Sequence, residues 1–288
     1  MLDFIAIQSL NGLVYSMLLF LLALGLSLTF GLLRVVNLAH GGFFLMGAYF
    51  GMSTWLLMQS FLAAIVVATL GVAVVGGLLE RLWLQRFYTR AELDQVILTF
   101  GFALVFADLM KMLWGKDIHS VPAPAAFSQS IQVANFVFPS YRLLLIFVGI
   151  ALFAGTWLAI ERTRIGALIR ASVSDREMVG GLGYNVRFLF TASFAFGTGL
   201  AGLAGLLGAP IIGIYPGLDF EVLITTLIVV VVGGLGSITG AFWASLLIGV
   251  SETYGRALYP DLASFIIFGV MAAVLLVRSW GKDEEQVE

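Results

Sequence analysis

A chain of 288 residues that is 60% hydrophobic and only 11% charged is not a water-soluble domain, since ordinary soluble domains are about a quarter charged. Its net charge of −2, without a basic run, gives nucleic acid nothing to bind, and the absence of cysteine excludes disulfides, thiolate metal sites and cysteine nucleophiles. The 33 glycines point to the bilayer as solvent, because glycine lets membrane helices approach closely.

A spanning helix needs roughly 20 apolar residues. In chain order, apolar segments run over Leu10–Leu33, Gly41–Met58, Phe61–Leu79, Gln95–Trp114, Tyr141–Ile160, Phe188–Ala209, Val222–Val232, Ala241–Thr253 and Leu262–Val277. The pair Val222–Val232 and Ala241–Thr253 is short and is separated by Gly233, Gly234, Gly236 and Gly240. The expectation is an all-α polytopic transmembrane bundle, one domain over residues 1–288, with eight or nine membrane segments, some of them discontinuous. Met1 to Leu10 holds Asp3 and no Lys or Arg, so a cleaved signal peptide is not expected. The loop Gly115–Ser140, with Pro122, Pro124 and Pro139, reads as an extended outer cap, and Pro216-Gly217 as a second outer turn.

Placing the loops Leu32–Ala39, Glu80–Asp94, Glu161–Arg187 and the C-terminal tail on one side collects eleven of the 15 Lys and Arg residues there. These are Arg34, Arg81, Arg86, Arg90, Arg162, Arg164, Arg170, Arg176, Arg187, Arg278 and Lys282; Lys111, Lys116, Arg142 and Arg256 remain opposite. The positive-inside rule makes the first side cytoplasmic. Nine crossings would then put the N-terminus outside and the tail inside. Glycine-rich breaks recur at Gly31–Gly42 and Gly233–Gly240, as they do in transporters built from repeats with broken helices.

Three groups of residues stand out. Asn37 and His40, in Arg34-Val-Val-Asn-Leu-Ala-His40-Gly-Gly, are costly in hydrocarbon unless they face protein or water. That segment reads either as a broken helix lining a pathway or as a tight inner loop with Asn37 capping the next helix. The inner stretch 161–186 reads as a helix with Ile165, Leu168, Ile169, Val173 and Val179 on one face, stopped by Gly180, Gly181 and Gly183. It suits either docking in a partner's groove or resting on lipid headgroups. Asp108–Lys111 and Glu252–Arg256 are spaced for pairing within a helix, with a proton relay as the alternative for Glu252. There is no phosphate-binding Gly-Lys-Ser/Thr loop, so ATP is not bound that way, and the two histidines, His40 and His119, are far apart in sequence. No cofactor or metal is expected.

Three motifs in order carry a resemblance. The first is Gly25-Leu-Ser-Leu-Thr-Phe-Gly-Leu-Leu-Arg-Val-Val-Asn-Leu-Ala-His-Gly-Gly-Phe43, followed by Gly47-Ala-Tyr49. The second is Arg162-Thr-Arg-Ile-Gly166, Arg170-Ala171, Asp175 and Gly183-Tyr-Asn185; the third is Gly233-Gly-Leu-Gly-Ser-Ile-Thr-Gly240. Together they resemble the permeases of ABC importers for branched-chain amino acids. The resemblance implies a transport subunit that hydrolyses nothing itself. It implies two ATP-binding subunits on the cytoplasmic side, a second related permease completing a hetero- or homodimer, an external solute-binding protein and a small-molecule substrate. It implies a multi-pass place in a bacterial or archaeal cytoplasmic (inner) membrane, and alternating access driven through the inner loop. On that basis Asn37, His40 and Gly41 are expected on the pathway, and Arg164, Gly166, Arg170, Ala171, Asp175, Gly183 and Asn185 at the coupling to the ATPase. One departure is Gly42, where the family usually has Glu; it leaves room for a different solute, such as urea or a short amide. The rival expectation is an ion-coupled secondary transporter using buried carboxylates such as Glu252, Asp108 or Glu221.

Overall fold

The computed structural model describes residues 2–33, 36–133 and 136–284. Its helices are α1 (Leu2–Leu33), α2 (His40–Met58), α3 (Phe61–Leu82), α4 (Glu92–Trp114), α5 (Ser140–Arg162), α6 (Arg164–Ser174), α7 (Arg176–Gly181), α8 (Val186–Ile212), α9 (Leu218–Gly233), α10 (Ile238–Leu258) and α11 (Ala263–Glu284). The fold is all-α apart from an antiparallel hairpin, β1 (Ser130–Val133) with β2 (Phe136–Pro139), in the loop between α4 and α5.

Each of the nine apolar segments becomes a helix, but the expected eight or nine membrane segments are not what length and apolarity support. Among the described residues six helices, α1 to α5 and α8, are long and apolar enough to cross a membrane; the count rises to seven if α9 and α10 together make one span. These two are bent by 119° at the glycine elbow, and the apolar part of α11 is only Phe265–Val277. At the elbow Gly234 and Gly236 have φ of 93° and 81°, a conformation that a side chain resists.

Helix α1 is the centre of the bundle. In its most apolar stretch 83% of residues are buried, against 28% in α4 and 17% in α5, which therefore lie at the periphery. It packs on α10, α8, α9 and α5, while α8 packs on α2 and α3. Between apolar helices in lipid, close packing has to supply the attraction that water supplies elsewhere. Small residues make it possible: a Cβ on Gly205 of α8 would lie 2.0 Å from the Phe44 carbonyl of α2. Phe20, Phe153 and Phe242 lock α1, α5 and α10 together, the last two stacked at 4.2 Å.

The two glycine breaks meet. A Cβ built on Gly31 would sit 2.8 Å from the Gly236 Cα, so the end of α1 rests on the α9–α10 elbow. Ser27 Oγ donates to the Ser237 carbonyl nearby (3.4 Å). The ends of α3 and α5 and the starts of α4 and α8 share this end by the alternation of the chain, with Arg81, Arg86, Arg90, Arg162, Arg164, Arg170, Arg176 and Arg187. By the positive-inside rule it is the inner end. Arg34 and the side chains of Arg278 and Lys282 lie outside the described residues. At the outer end Ser9 bonds Tyr254 (2.8 Å), and His119 pairs with Ile214 through two backbone hydrogen bonds (2.8 and 2.9 Å), tying the outer cap to the second outer turn.

Candidate functional site

Residues 36–39 return the chain into the bundle. Thr99 Oγ1 of α4 donates to the Val36 carbonyl and accepts from the Leu38 N–H, both at 3.2 Å. Asn37 Oδ1 accepts from the Ala39 N–H (3.1 Å), and the Asn37 carbonyl accepts from the His40 N–H (3.2 Å). Asn37 thus shapes the turn one residue before α2 rather than capping it in the usual geometry. His40 Nε2 donates to the Leu22 carbonyl (3.0 Å), so α2 begins beside the middle of α1. Asn37 and His40 are fully buried, and Asn37 Nδ2 and His40 Nδ1 have no partner among the described residues. Gly41 has α9 against it: a Cβ there would lie 1.9 Å from the Asp219 carbonyl. At Gly42 a Cβ would lie 2.9 Å from the Phe106 ring, so Phe106 holds the space a longer side chain would need.

One turn beyond His40, Phe44 opens onto a cavity at the outer half of the bundle. It has two adjoining chambers, of about 420 and 720 Å³, that share Tyr15, Leu18, Ile211, Glu252 and Arg256. The smaller adds the polar Gln8, Asn11, Arg142 and Thr253. The larger is mainly aliphatic and aromatic, with Leu19, Leu22, Phe44, Val222 and Ile228 among its walls. An apolar pocket of this size with a few convergent polar groups is the usual form of a small-molecule site.

The charges sit where the chambers join. Glu252 of α10 is 2% exposed; its Oε1 accepts from Arg256, one turn on, and its buried Oε2 has no hydrogen-bond partner among the described residues. The Arg256 guanidinium lies 5.9 Å over the Tyr15 ring. Arg142 of α5 donates to Asn11 Oδ1 of α1. In the larger chamber Glu221 Oε2 accepts from the Tyr215 hydroxyl (2.8 Å), whose pKa burial and the carboxylate push up to about 12, so it stays a donor. The pairing of Glu252 with Arg256 was legible from their spacing. The burial of the second carboxylate oxygen, and Tyr15 beside it, were not, because only the packing of α1 on α10 brings them together. Asp108 and Lys111 pair at 3.2 Å on the exposed side of α4.

The inner stretch is not one helix. It breaks at Asp175, whose carboxylate accepts from the Met178 N–H (2.9 Å) and caps α7, leaving α6 and α7 as separate short helices. Leu168, Ile169 and Val173 turn inward and Val179 is buried, but Ile165, expected on the same face, is 64% exposed. Gly166 is pressed against α5: a Cβ would lie 2.0 Å from the Ile160 carbonyl. Arg170 turns back onto the same helix end, donating to the Ile160 carbonyl and pairing with Glu161 (3.5 Å). Arg164 and Ala171 are exposed, and the Ala171 carbonyl accepts from the Asp175 N–H (2.9 Å). Gly183, at φ 88°, ends α7, and Asn185 Oδ1 caps α8 through the Phe188 N–H (3.0 Å).

Behind α7 lies a cluster that the sequence did not single out. Glu80 of α3 is fully buried and accepts from Tyr88 (2.5 Å), Thr191 (2.6 Å) and Gln85 (3.1 Å). Arg176 of α7 stands 4.7 Å over the Phe190 ring and 5.8 Å over Tyr88.

The chain matches the family described as "Branched-chain amino acid transport system / permease component" over residues 8–275. The high-affinity branched-chain amino acid transport system permease protein BraD of Pseudomonas aeruginosa is 30% identical, over 95% of this chain and 94% of that protein. Escherichia coli LivH, a permease protein of the same description, is 26% identical over 95% and 94%. A probable LivH of Methanocaldococcus jannaschii is 28% identical over 94% and 90%. The solved structure of PsaBC from Streptococcus pneumoniae in complex with Fab aligns over 93% of this chain and 89% of its own, at 14% identity and a TM-score of 0.48. With the family matched from residue 8 to 275 and a 30% identical relative covered almost end to end, the chain belongs to the permease components of branched-chain amino acid transport systems.

Proposed function

We propose that this chain is one membrane-spanning subunit of an ABC importer, forming the pathway for branched-chain amino acids or a related small polar solute. The observation that carries the reading is the outer cavity, where the buried Glu252, paired with the more exposed Arg256, stands among aliphatic side chains inside a bundle of membrane helices. The relatives' descriptions as high-affinity branched-chain amino acid permeases support the substrate class. Below the cavity, Asn37, His40 and Gly41 continue the route: the buried Asn37 Nδ2 and His40 Nδ1, unpaired among the described residues, suit a polar solute or water passing when the helices reorient.

The chain works with two ATP-binding subunits on the cytoplasmic side, a second related permease and an external binding protein, in a bacterial or archaeal cytoplasmic membrane. It has no ATPase activity of its own. The α6–α7 pair, with Arg164, Gly166, Arg170, Ala171, Asp175, Gly183 and Asn185, is the coupling element. Ile165, Met178, Leu182 and Tyr184 around it are 48–66% exposed, an apolar set fit for a partner's groove. Gly166 and Arg170 fix the pair to α5, so movement of the pair is passed to the bundle rather than absorbed. Counting α9, α10 and α11 separately gives nine membrane segments. This is supported by α10 starting beside Ser27 at the inner end and reaching Ser9 at the outer one.

The test is affinity purification from the native membrane in mild detergent with mass spectrometry of what accompanies the chain. Two ATPase subunits and a second permease in near-equal amounts are expected. Recovery of the chain alone, with uptake that follows an ion gradient instead of ATP, would make it a secondary transporter, the reading that the half-paired Glu252 also allows.

A further inference from the structure

We infer that Glu252 and Arg256 are the head-group site for a zwitterionic α-amino acid: Arg256 takes the ligand carboxylate, Glu252 Oε2 takes its ammonium, and the aliphatic side chain enters the larger chamber. This rests on the permease reading above and says which atoms of the cavity hold the solute.

The charge arithmetic selects the ligand. The pair is neutral as a whole and sits where the two chambers join, among both polar and aliphatic side chains. A zwitterion inserted between the two groups leaves each charge with a partner, in the series guanidinium, carboxylate, ammonium, carboxylate. An acid alone would draw Arg256 away and leave the buried Glu252 without its opposite charge, at large cost, and an amine alone would leave Arg256 with solvent in place of its partner. A neutral amide or urea would have to separate the pair and offer only dipoles in return. A site built to pair with a group rejects an analogue that lacks it more sharply than an apolar wall can.

Three observations fix the direction. Glu252 Oε2 is buried and has no hydrogen-bond partner among the described residues, whereas Glu221, the other carboxylate of the larger chamber, is already bonded by Tyr215. Arg256 and Glu252 line both chambers but Arg142 lines the smaller one alone, so a carboxylate belongs on that side. The walls beyond include Leu19, Leu22, Val222 and Ile228, which match a branched aliphatic chain. Gly42 fits the same picture: Phe106 occupies the space beside it, and the carboxylate that meets the ammonium stands on α10 instead of at position 42.

The experiment measures ligand binding to the complete permease–ATPase assembly in nanodiscs, without the binding protein, by calorimetry. The ligands are leucine, leucinamide, 4-methylpentanoate and urea, and ATP-driven leucine uptake into proteoliposomes is followed in parallel. Wild type is expected to bind leucine at least about tenfold more tightly than any of the others. Glu252→Gln should lose about tenfold or more for leucine while 4-methylpentanoate is spared. Arg256→Gln should lose leucine while leucinamide is spared. Folded variants that bind leucine within twofold of wild type overturn the head-group site, as does a loss equal for all ligands, which marks a structural pair. Wild type that transports leucine in either case leaves the permease reading standing; wild type that transports no amino acid sinks that reading by itself.

Discussion

Glu80 and Glu252 are both buried carboxylates in a membrane bundle, and they are treated in opposite ways. Glu80, at the inner end, accepts hydrogen bonds from Tyr88, Thr191 and Gln85 and binds α3 to α8. Glu252, at the outer end and in the cavity wall, has one oxygen on Arg256 and the other buried beside Tyr15 with no hydrogen-bond partner among the described residues. A buried polar network holds a structure together when it is complete and costs stability when it is not. The inner end is therefore built to stay closed as a unit, and the outer end is left open to a ligand.

The strongest way to break this contrast is to add a third buried carboxylate with no partner. Gly42→Glu would push into Phe106 and bury a charge among Phe43 and Phe106, which meet edge to face at 5.2 Å. The cost is several kcal/mol, and no folded protein should be recovered in detergent; Gly42→Glu with Phe106→Ala should restore some, by relieving the overlap alone. Glu80→Ala comes next. It leaves the Tyr88 hydroxyl without its acceptor, while Thr191 keeps the Arg187 carbonyl and Gln85 keeps Thr191, for a loss of about 1–3 kcal/mol, read as a fall in the thermal midpoint and an equal fall in uptake with protein yield. Glu252→Gln should do the reverse, shifting stability by less than about 1 kcal/mol because the amide oxygen still accepts from the half-exposed Arg256, while uptake per folded molecule collapses. Equal melting behaviour for Glu80→Ala and Glu252→Gln would show that the two ends do not differ in kind.

The contrast also measures what the sequence discloses. Apolar length and the glycine breaks are local properties, and all nine apolar segments became helices. How many cross is not local, because the α9–α10 bend depends on Gly31 meeting Gly236 from the far end of the chain. Asn37 and His40 stood out because they are polar residues in an apolar run with no local partner. Glu252 was masked by a good local explanation, the pairing with Arg256 one turn away. Glu80 was masked by its place at the edge of a basic loop, and its partner Thr191 is 111 residues on. The Asp175 cap was legible in principle as Ser-Asp before a short helix, but the apolar period running through it suggested a continuous helix.

A finer test separates the inner cluster from the helix that rests on it. Arg176→Ala removes the cation over Phe190 and Tyr88, worth about 0.5–2 kcal/mol, without touching the hydrogen bonds of Glu80. The thermal midpoint should fall slightly, and in the assembled complex ATP hydrolysis should continue with less solute moved per turnover, since α7 then has a looser hold on α8. Asp175→Ala is the smallest step. It takes the cap from a six-residue helix and costs about 1 kcal/mol at an exposed site, felt locally rather than through the bundle. Hydrogen exchange should rise at Met178 and its neighbours and stay unchanged around Glu80. If exchange rises at both, α7 and the Glu80 cluster form one cooperative unit, and the inner end is a single rigid lever instead of a docking helix resting on a fixed base.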